Sequence, residues 1–162
     1  GIEDALIAIK KIKEQNKNCK LWVIGRGNIS KLQGLCNKLK INDVVTFFGF
    51  VEEEKKFSLL SRAHLLIHPS VKEGFGLTIP EAGFFGTPVI VYDSPGLRDI
   101  VKNNKNGILL SENSPDAIAN AAIRVLGTPA FYQNLCAMAK VEAKQYNWDN
   151  TVQAVLNSIK KL

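Results

Sequence analysis

The chain has 162 residues, 46% of them apolar and 22% charged, a balance that suits one compact domain around a single core and excludes a disordered tail. No apolar run approaches the roughly 20 residues a bilayer-spanning helix needs, and GIEDALIAIKKI at the start has no basic flank ahead of a smooth apolar stretch. A net charge of +6 asks for an acidic partner, but the lysines fall in scattered pairs (Lys10 with Lys11, Lys55 with Lys56, Lys160 with Lys161) without interleaved aromatics, which speaks against nucleic acid.

Taken in chain order, residues 2 to 15 repeat Ile2, Ala5, Leu6, Ile9 and Ile12 at intervals of three and four, the spacing of an amphipathic helix. KLWVIG at 20 to 25 reads as a buried strand, and 29 to 40 returns to helix through Leu32, Leu35, Cys36 and Leu39. VVTFFGF then reads as strand, EEEKKFSLLSRA as helix, HLLIHPS as strand, PEAGFFG as helix and PVIVYD as strand. After the short strand in NGILLSENS, Ser114 offers an N-cap ahead of Pro115, and helices follow over roughly 115 to 126, 130 to 146 and 149 to 161. Strand alternating with helix predicts an α/β domain: a Rossmann-like, doubly wound parallel sheet with helices on both faces and a largely helical C-terminal half. A doubly wound domain usually begins on a central strand, whereas this chain opens on a helix at Gly1, so a preceding strand in a longer protein is expected.

Cys19, Cys36 and Cys136 are odd in number and far apart, the pattern of reduced thiols in a soluble cytoplasmic domain. His64 and His68 have the i, i+4 spacing of helical metal ligands, but HLLIHPS reads as strand and no third ligand is evident, so no metal is expected. Two polar positions on one sheet face is the simpler account of the pair.

In open parallel sheets ligands sit beyond the carboxyl ends of the strands. The segments there are GRGN, GFVEEE, PSVKEGFGLTIPE and DSPGLRD, and they are expected to converge on one crevice. GRGN at 25 to 28 reads either as a plain turn or as a backbone contact to a nucleotide. It lacks the third glycine and the acid of a dinucleotide fingerprint.

EGFGLTIPE at 73 to 81 carries more chemistry. Thr78 followed three residues later by Glu81 satisfies a helix capping box, with Pro80 tolerated in the first turn. That would account for Glu81 but not for Glu73, nor for Gly74 and Gly76 on either side of Phe75. Glycines there let unshielded amides turn toward an anion at a helix start, where a diphosphate would be stabilised. Acids flanking such a nest would repel phosphate if they pointed inward, so they are expected to face hydroxyls, as on a sugar and a ribose.

The stretch FFGFVEEEKKFSLLSRAHLLIHPSVKEGFGLTIPEAGFFGTPVIVYDSPGLRDIVKNNKNGILL closely resembles the C-terminal, donor-binding domain of the glycosyltransferase group 1 family, retaining enzymes of GT-B fold. The resemblance runs from about residue 1 to residue 160. It rests on the two glutamates with seven residues between them, Glu73 and Glu81, with Ala82, Gly86 and Pro88, and on Gly49, Pro69, Ser70, Gly76 and Gly107.

The resemblance implies that Glu73 is the catalytic-site acid, holding donor-sugar hydroxyls rather than acting as nucleophile, and that the amides of Gly74, Phe75, Gly76 and Leu77 line the sugar and its diphosphate. It implies that Glu81 is the ribose ligand, that Phe50 and Val51 form the wall against the base, and that Gly25, with Arg26 beside it, approaches the nucleotide. The donor would be a nucleotide diphosphate-sugar, with no obligatory metal or other cofactor. The family's phosphate-binding Arg and Lys lie just upstream of the position of Gly1, and its acceptor site lies in an N-terminal domain. That missing domain is therefore an expected partner, turnover by this chain alone is not expected, and an anionic membrane surface is a partner class admitted for the parent by its basic balance and by analogy with relatives. A nucleotide-sugar-binding module without catalysis and a nucleotide-sugar epimerase of GT-B fold are the rival readings.

Overall fold

Residues 1–159 are described by a computed structural model. The pair Lys160 and Lys161 and the predicted end of the last helix lie outside them.

The helix expected first is α1 (Ile2–Gln15), which buries Ala5, Leu6, Ala8, Ile9 and Ile12 along one stripe. Glu3 and Asp4 occupy its first turn, where a negative charge complements the free amides. The chain continues through β1 (Leu21–Ile24), α2 (Ile29–Leu39), β2 (Val45–Gly49), α3 (Glu53–Leu60), β3 (Leu66–His68), α4 (Thr78–Phe85) and β4 (Val89–Tyr92). It ends with α5 (Pro95–Ile100), β5 (Gly107–Leu110), α6 (Pro115–Gly127), α7 (Pro129–Ala143) and α8 (Trp148–Ile159). Ser114 caps α6 as its sequence suggests, its Oγ accepting from the Ala117 amide at 3.1 Å.

Every strand pairing is parallel, so the alternating pattern is borne out. The strands form a two-stranded sheet, β1-β2, and a three-stranded sheet, β3-β4-β5. β4 is buried along its whole length, and its side chains alternate between two cores. Ile90 and Tyr92 join Leu6, Ile9 and Ile118 under α1 and α6, while Val89 and Val91 join Leu60, Ile79 and Leu97 under α3, α4 and α5. Helices therefore cover the sheet on both faces, as an all-parallel sheet requires.

Two expectations change. β1 is only half-buried, and Ile24 at its end is 36% exposed, because the strand has β2 on one edge and no described strand on the other. The segment DSPGLRD, placed beyond the end of the fourth strand, runs into a helix not expected there, α5. Its signal was Pro95 after Ser94, the same Ser-Pro start that marks α6, yet Ser94 makes no side-chain cap and its Oγ is buried without a partner among the described residues.

Candidate functional site

The EGFG loop joins β3 to α4, and its shape depends on glycine. Gly76 has φ of +77°, in the left-handed region open to glycine, which reverses the chain into α4. Gly96, at the start of α5, lies so near the carbonyl oxygens of Glu73 and Gly74 that a Cβ there would collide with backbone. α5 is thus the floor on which the loop rests.

Glu73 is held from two sides. Its Oε1 accepts from the Gly74 amide at 3.2 Å, and its Oε2 lies 3.0 Å from Nε2 of His68, the last residue of β3. The hydrogen bond to His68, more than any other contact, holds the Glu73 carboxyl below its ordinary range. His68 also meets Thr78, whose Oγ1 lies 3.3 Å from Nδ1. The sequence placed His68 as a polar position on a sheet face. It is instead the link between Glu73 and the first residue of α4, and the only sequence signal for that was a polar ring at the end of an apolar strand. His64 lies outside β3, with its ring 6.4 Å from that of Tyr132.

The capping box is overturned. Leu77, not Thr78, is the N-cap residue of α4, and the helix has no side-chain cap. With Thr78 turned to His68, Glu81 turns to α3, where its Oε1 accepts from Lys56 Nζ at 2.7 Å. Its Oε2 is enclosed and has no partner among the described residues. Within this stretch the Ile79 amide bonds to Gly76 O and the Glu81 amide to Leu77 O, while the amides of Gly76, Leu77 and Thr78 donate to no described group. Three uncommitted donors thus cluster at the positive end of a helix, between the two acids. The Phe75 ring rests edge-on against Tyr146 with centroids 5.7 Å apart, and Leu77 is 68% exposed.

Gly25, Arg26, Phe50 and Val51 gather on the neighbouring strand ends. Gly25, with φ of +129°, donates its amide to Gly49 O at 2.8 Å, which ties the ends of β1 and β2 together. The Arg26 guanidinium stacks over the exposed Phe50 ring at 4.7 Å from its centroid, and Val51 beside it is half-buried. A cavity of about 350 Å³ opens here, walled by Ile2, Val23, Gly25, Arg26, Asn28 and Phe47 among others. Glu73 and Glu81 do not line it. The four strand-end segments thus meet in pairs, the first with the second and the third with the fourth, and the ion pair from α3 to Glu81 bridges the two groups. Among the described residues no cluster of three His, Cys, Asp or Glu side chains is placed to hold a metal ion.

Comparison with known proteins identifies the family and the fold. Residues 1–146 match the family described as glycosyl transferases group 1. An uncharacterized glycosyltransferase of Methanocaldococcus jannaschii is 36% identical over 162 residues, covering 99% of this chain and 41% of its own length. A D-inositol 3-phosphate glycosyltransferase of Gordonia bronchialis is 29% identical, covering 97% of this chain and 36% of its own. The chain therefore spans less than half the length of these relatives. Among solved structures, sucrose-phosphate synthase from Thermosynechococcus elongatus superposes with a TM-score of 0.84 at 25% identity, over 99% of this chain and 43% of that one. The Anabaena protein HepE, solved in complex with UDP, gives a TM-score of 0.88 at 20% identity, over 100% of this chain and 45% of that one. The C-terminal domain of a group 1 glycosyltransferase from Francisella tularensis gives 0.81 at 18% identity, over 90% of this chain and 78% of that one. The chain belongs to the group 1 glycosyltransferase family and has the fold of the C-terminal domain of its GT-B enzymes.

Proposed function

We propose that this chain binds the donor of a retaining glycosyltransferase, a nucleotide diphosphate-sugar whose sugar the intact enzyme transfers to an acceptor. The observation that carries this reading is the cluster of uncommitted amides on Gly76, Leu77 and Thr78 at the start of α4, with an acid on each side. Glu73, which takes the amides of Gly74 and Phe75, accepts from sugar hydroxyls, and Glu81 accepts from the ribose. Phe50, Val51, Gly25 and Arg26 take the base side. Related folds have been solved with UDP and with UDP-glucose, which favours a uridine or similar nucleotide without naming the sugar.

In the reaction the anomeric C–O bond to the diphosphate breaks, and negative charge grows on the departing oxygen. Preorganised amides at a helix start stabilise that charge where it develops, and no metal is required for this step. Glu73 orients the sugar and takes no covalent part.

The partner domain, which supplies the acceptor site, contributes the rest of the active site, and this chain by itself turns over no donor. Among the described residues one edge of β1 and one edge of β3 are unpaired, which leaves room for a further parallel strand that would bring the family's basic residues to the diphosphate. A cytoplasmic setting, with contact to an anionic membrane surface, suits the basic balance.

Titration of the domain with UDP, GDP and ADP up to millimolar tests the reading. At a ligand concentration 100 times the dissociation constant, binding stabilises the fold by about 2.7 kcal/mol, which raises the melting temperature by several degrees at about 2–4 °C per kcal/mol. Glu81→Ala is expected to abolish the shift. No shift with any of the three would refute the pocket. With the full-length enzyme, transfer, isomerisation or neither separates a transferase from an epimerase and from a binding module.

A further inference from the structure

We infer that His68 is a positioning residue for Glu73, fixed in its Nε2–H form by the hydroxyl of Thr78, and that it aligns the sugar-binding carboxylate with the amides at the start of α4. The inference rests on the donor reading given above and adds to it a residue from outside the EGFG loop.

The argument is one of donors and acceptors. An ionised carboxylate only accepts, so the Nε2 that lies 3.0 Å from Glu73 Oε2 must carry a proton. In the neutral ring Nδ1 is then an acceptor, and its neighbour at 3.3 Å is the Thr78 hydroxyl, which can donate. The three side chains form one directed line, Thr78 to His68 to Glu73, and each group has a single role in it. The opposite tautomer would set a bare ring nitrogen against a carboxylate.

The line spans separate elements. His68 ends β3, Thr78 begins α4, and Glu73 lies in the loop between them. The His68 side chain is 23% exposed and that of Glu73 is 29%, so the contact is partly shielded while the acid still faces solvent. The Gly74 and Phe75 amides and the His68 imidazole together occupy up to three of the roughly four acceptor positions of the carboxylate. What is left is open to a hydroxyl of a sugar. A glutamate on a glycine-flanked loop would otherwise sample several rotamers, and a fixed rotamer is what makes its hydrogen bonds add to binding instead of being offset by ordering.

The test compares His68→Leu, His68→Gln and His68→Asn in the full-length enzyme. Glutamine puts an amide donor near the Nε2 position, whereas asparagine reaches only the Nδ1 position. Affinities are measured for UDP-, GDP- and ADP-glucose and for the matching free diphosphates. The leucine variant is expected to weaken the sugar-bearing ligand at least tenfold while changing the free diphosphate less than twofold. Glutamine is expected to restore most of the loss, and asparagine little of it. Equal weakening of both ligands, no weakening of either, or equal effects of glutamine and asparagine would overturn the inference. Independently, ¹⁵N spectra of wild-type His68 should carry the proton on Nε2 and leave Nδ1 bare; a bare Nε2 would overturn it even if the variants fail to fold. Glu73→Gln separates the two levels. If it leaves sugar affinity intact the donor reading fails, whereas if it weakens the sugar ligand and His68→Leu does not, only the role of His68 fails.

Discussion

Lys56 Nζ and Glu81 Oε1 lie 2.7 Å apart across 25 positions of sequence, joining α3 to α4 behind the start of the helix. Both side chains are about three-quarters buried, at 24% and 25% exposed, so this pair is shielded more than a surface bridge. Lys56→Met would leave Glu81 with one oxygen enclosed and unpartnered and the other without its cation. The fold is expected to lose about 1–3 kcal/mol, the usual cost of stranding a partly buried polar group. Replacing Glu81 by Leu as well should recover much of that loss. Urea denaturation of both singles and the double, with slopes unchanged, measures the coupling; additive effects would mean that Lys56 and Glu81 do not stabilise the fold through each other.

Gly96 sets how near α5 can come to the EGFG loop. A Cβ at this position would meet the carbonyl oxygens of Glu73 and Gly74, and backbone cannot rotate away as a side chain can. Gly96→Ala is expected to lift the loop from its floor, destabilise the domain by about 1–3 kcal/mol as overpacking does, and weaken nucleoside diphosphate binding at least tenfold. Melting temperature and calorimetric titration check the two effects. A variant of wild-type affinity would mean that the loop does not need this floor.

The parts of the fold legible in the sequence were those set by local periodicity. α1 and β4 follow from apolar spacing, and α6 from Ser114 and Pro115. The loop of Glu73 was legible because flanking glycines near two acids have few other uses. What could not be read was which side chain each acid would choose. Thr78 and Glu81 have the spacing of a capping box, and local rules alone would pair them. His68 and Lys56, brought in by β3 and α3, outcompete that local arrangement, and such contacts exist only once the elements are packed. β1 was read as buried because LWVI is apolar, but burial depends on what pairs with its second edge.

Tyr92 is fully buried in β4 and donates its hydroxyl to Asp4 Oδ2 in α1 at 2.8 Å. Burial, with Asp4 beside it, pushes the phenol well above its ordinary value, so it remains a neutral donor at any physiological pH. Tyr92→Phe keeps the ring and its packing and removes only this bond to a charged acceptor. A loss of about 1.5–3 kcal/mol is expected, with nucleotide affinity unchanged. Denaturation midpoints check the first and titration the second; an unaltered midpoint would mean that Asp4 is satisfied by water.

Glu142 on α7 is only 4% exposed, and it accepts from Lys102 Nζ at 2.6 Å and Lys105 Nζ at 2.8 Å, both on the segment after α5. Hydrogen bonds from Lys102 and then Lys105 hold its carboxyl below the ordinary 4.5. Because the folded value is the lower one, the unfolded chain takes up a proton first as the pH falls. The stabilisation is therefore complete above about 4.5, declines below it, and vanishes once the pH has passed the folded value. Glu142→Gln removes the charge but keeps the volume. Since both lysines are about half in water, the cost at neutral pH is expected near about 1–3 kcal/mol, the range for a lost charged hydrogen bond, and not the larger penalty of a fully buried pair. Subtracting the variant's stability from that of the wild type between pH 7 and 3 isolates this group from the other depressed carboxyls, Glu3, Asp43 and Glu73. The difference should be constant down to about 4.5 and shrink below it. A difference independent of pH would mean that the lysines do not hold this carboxylate in solution.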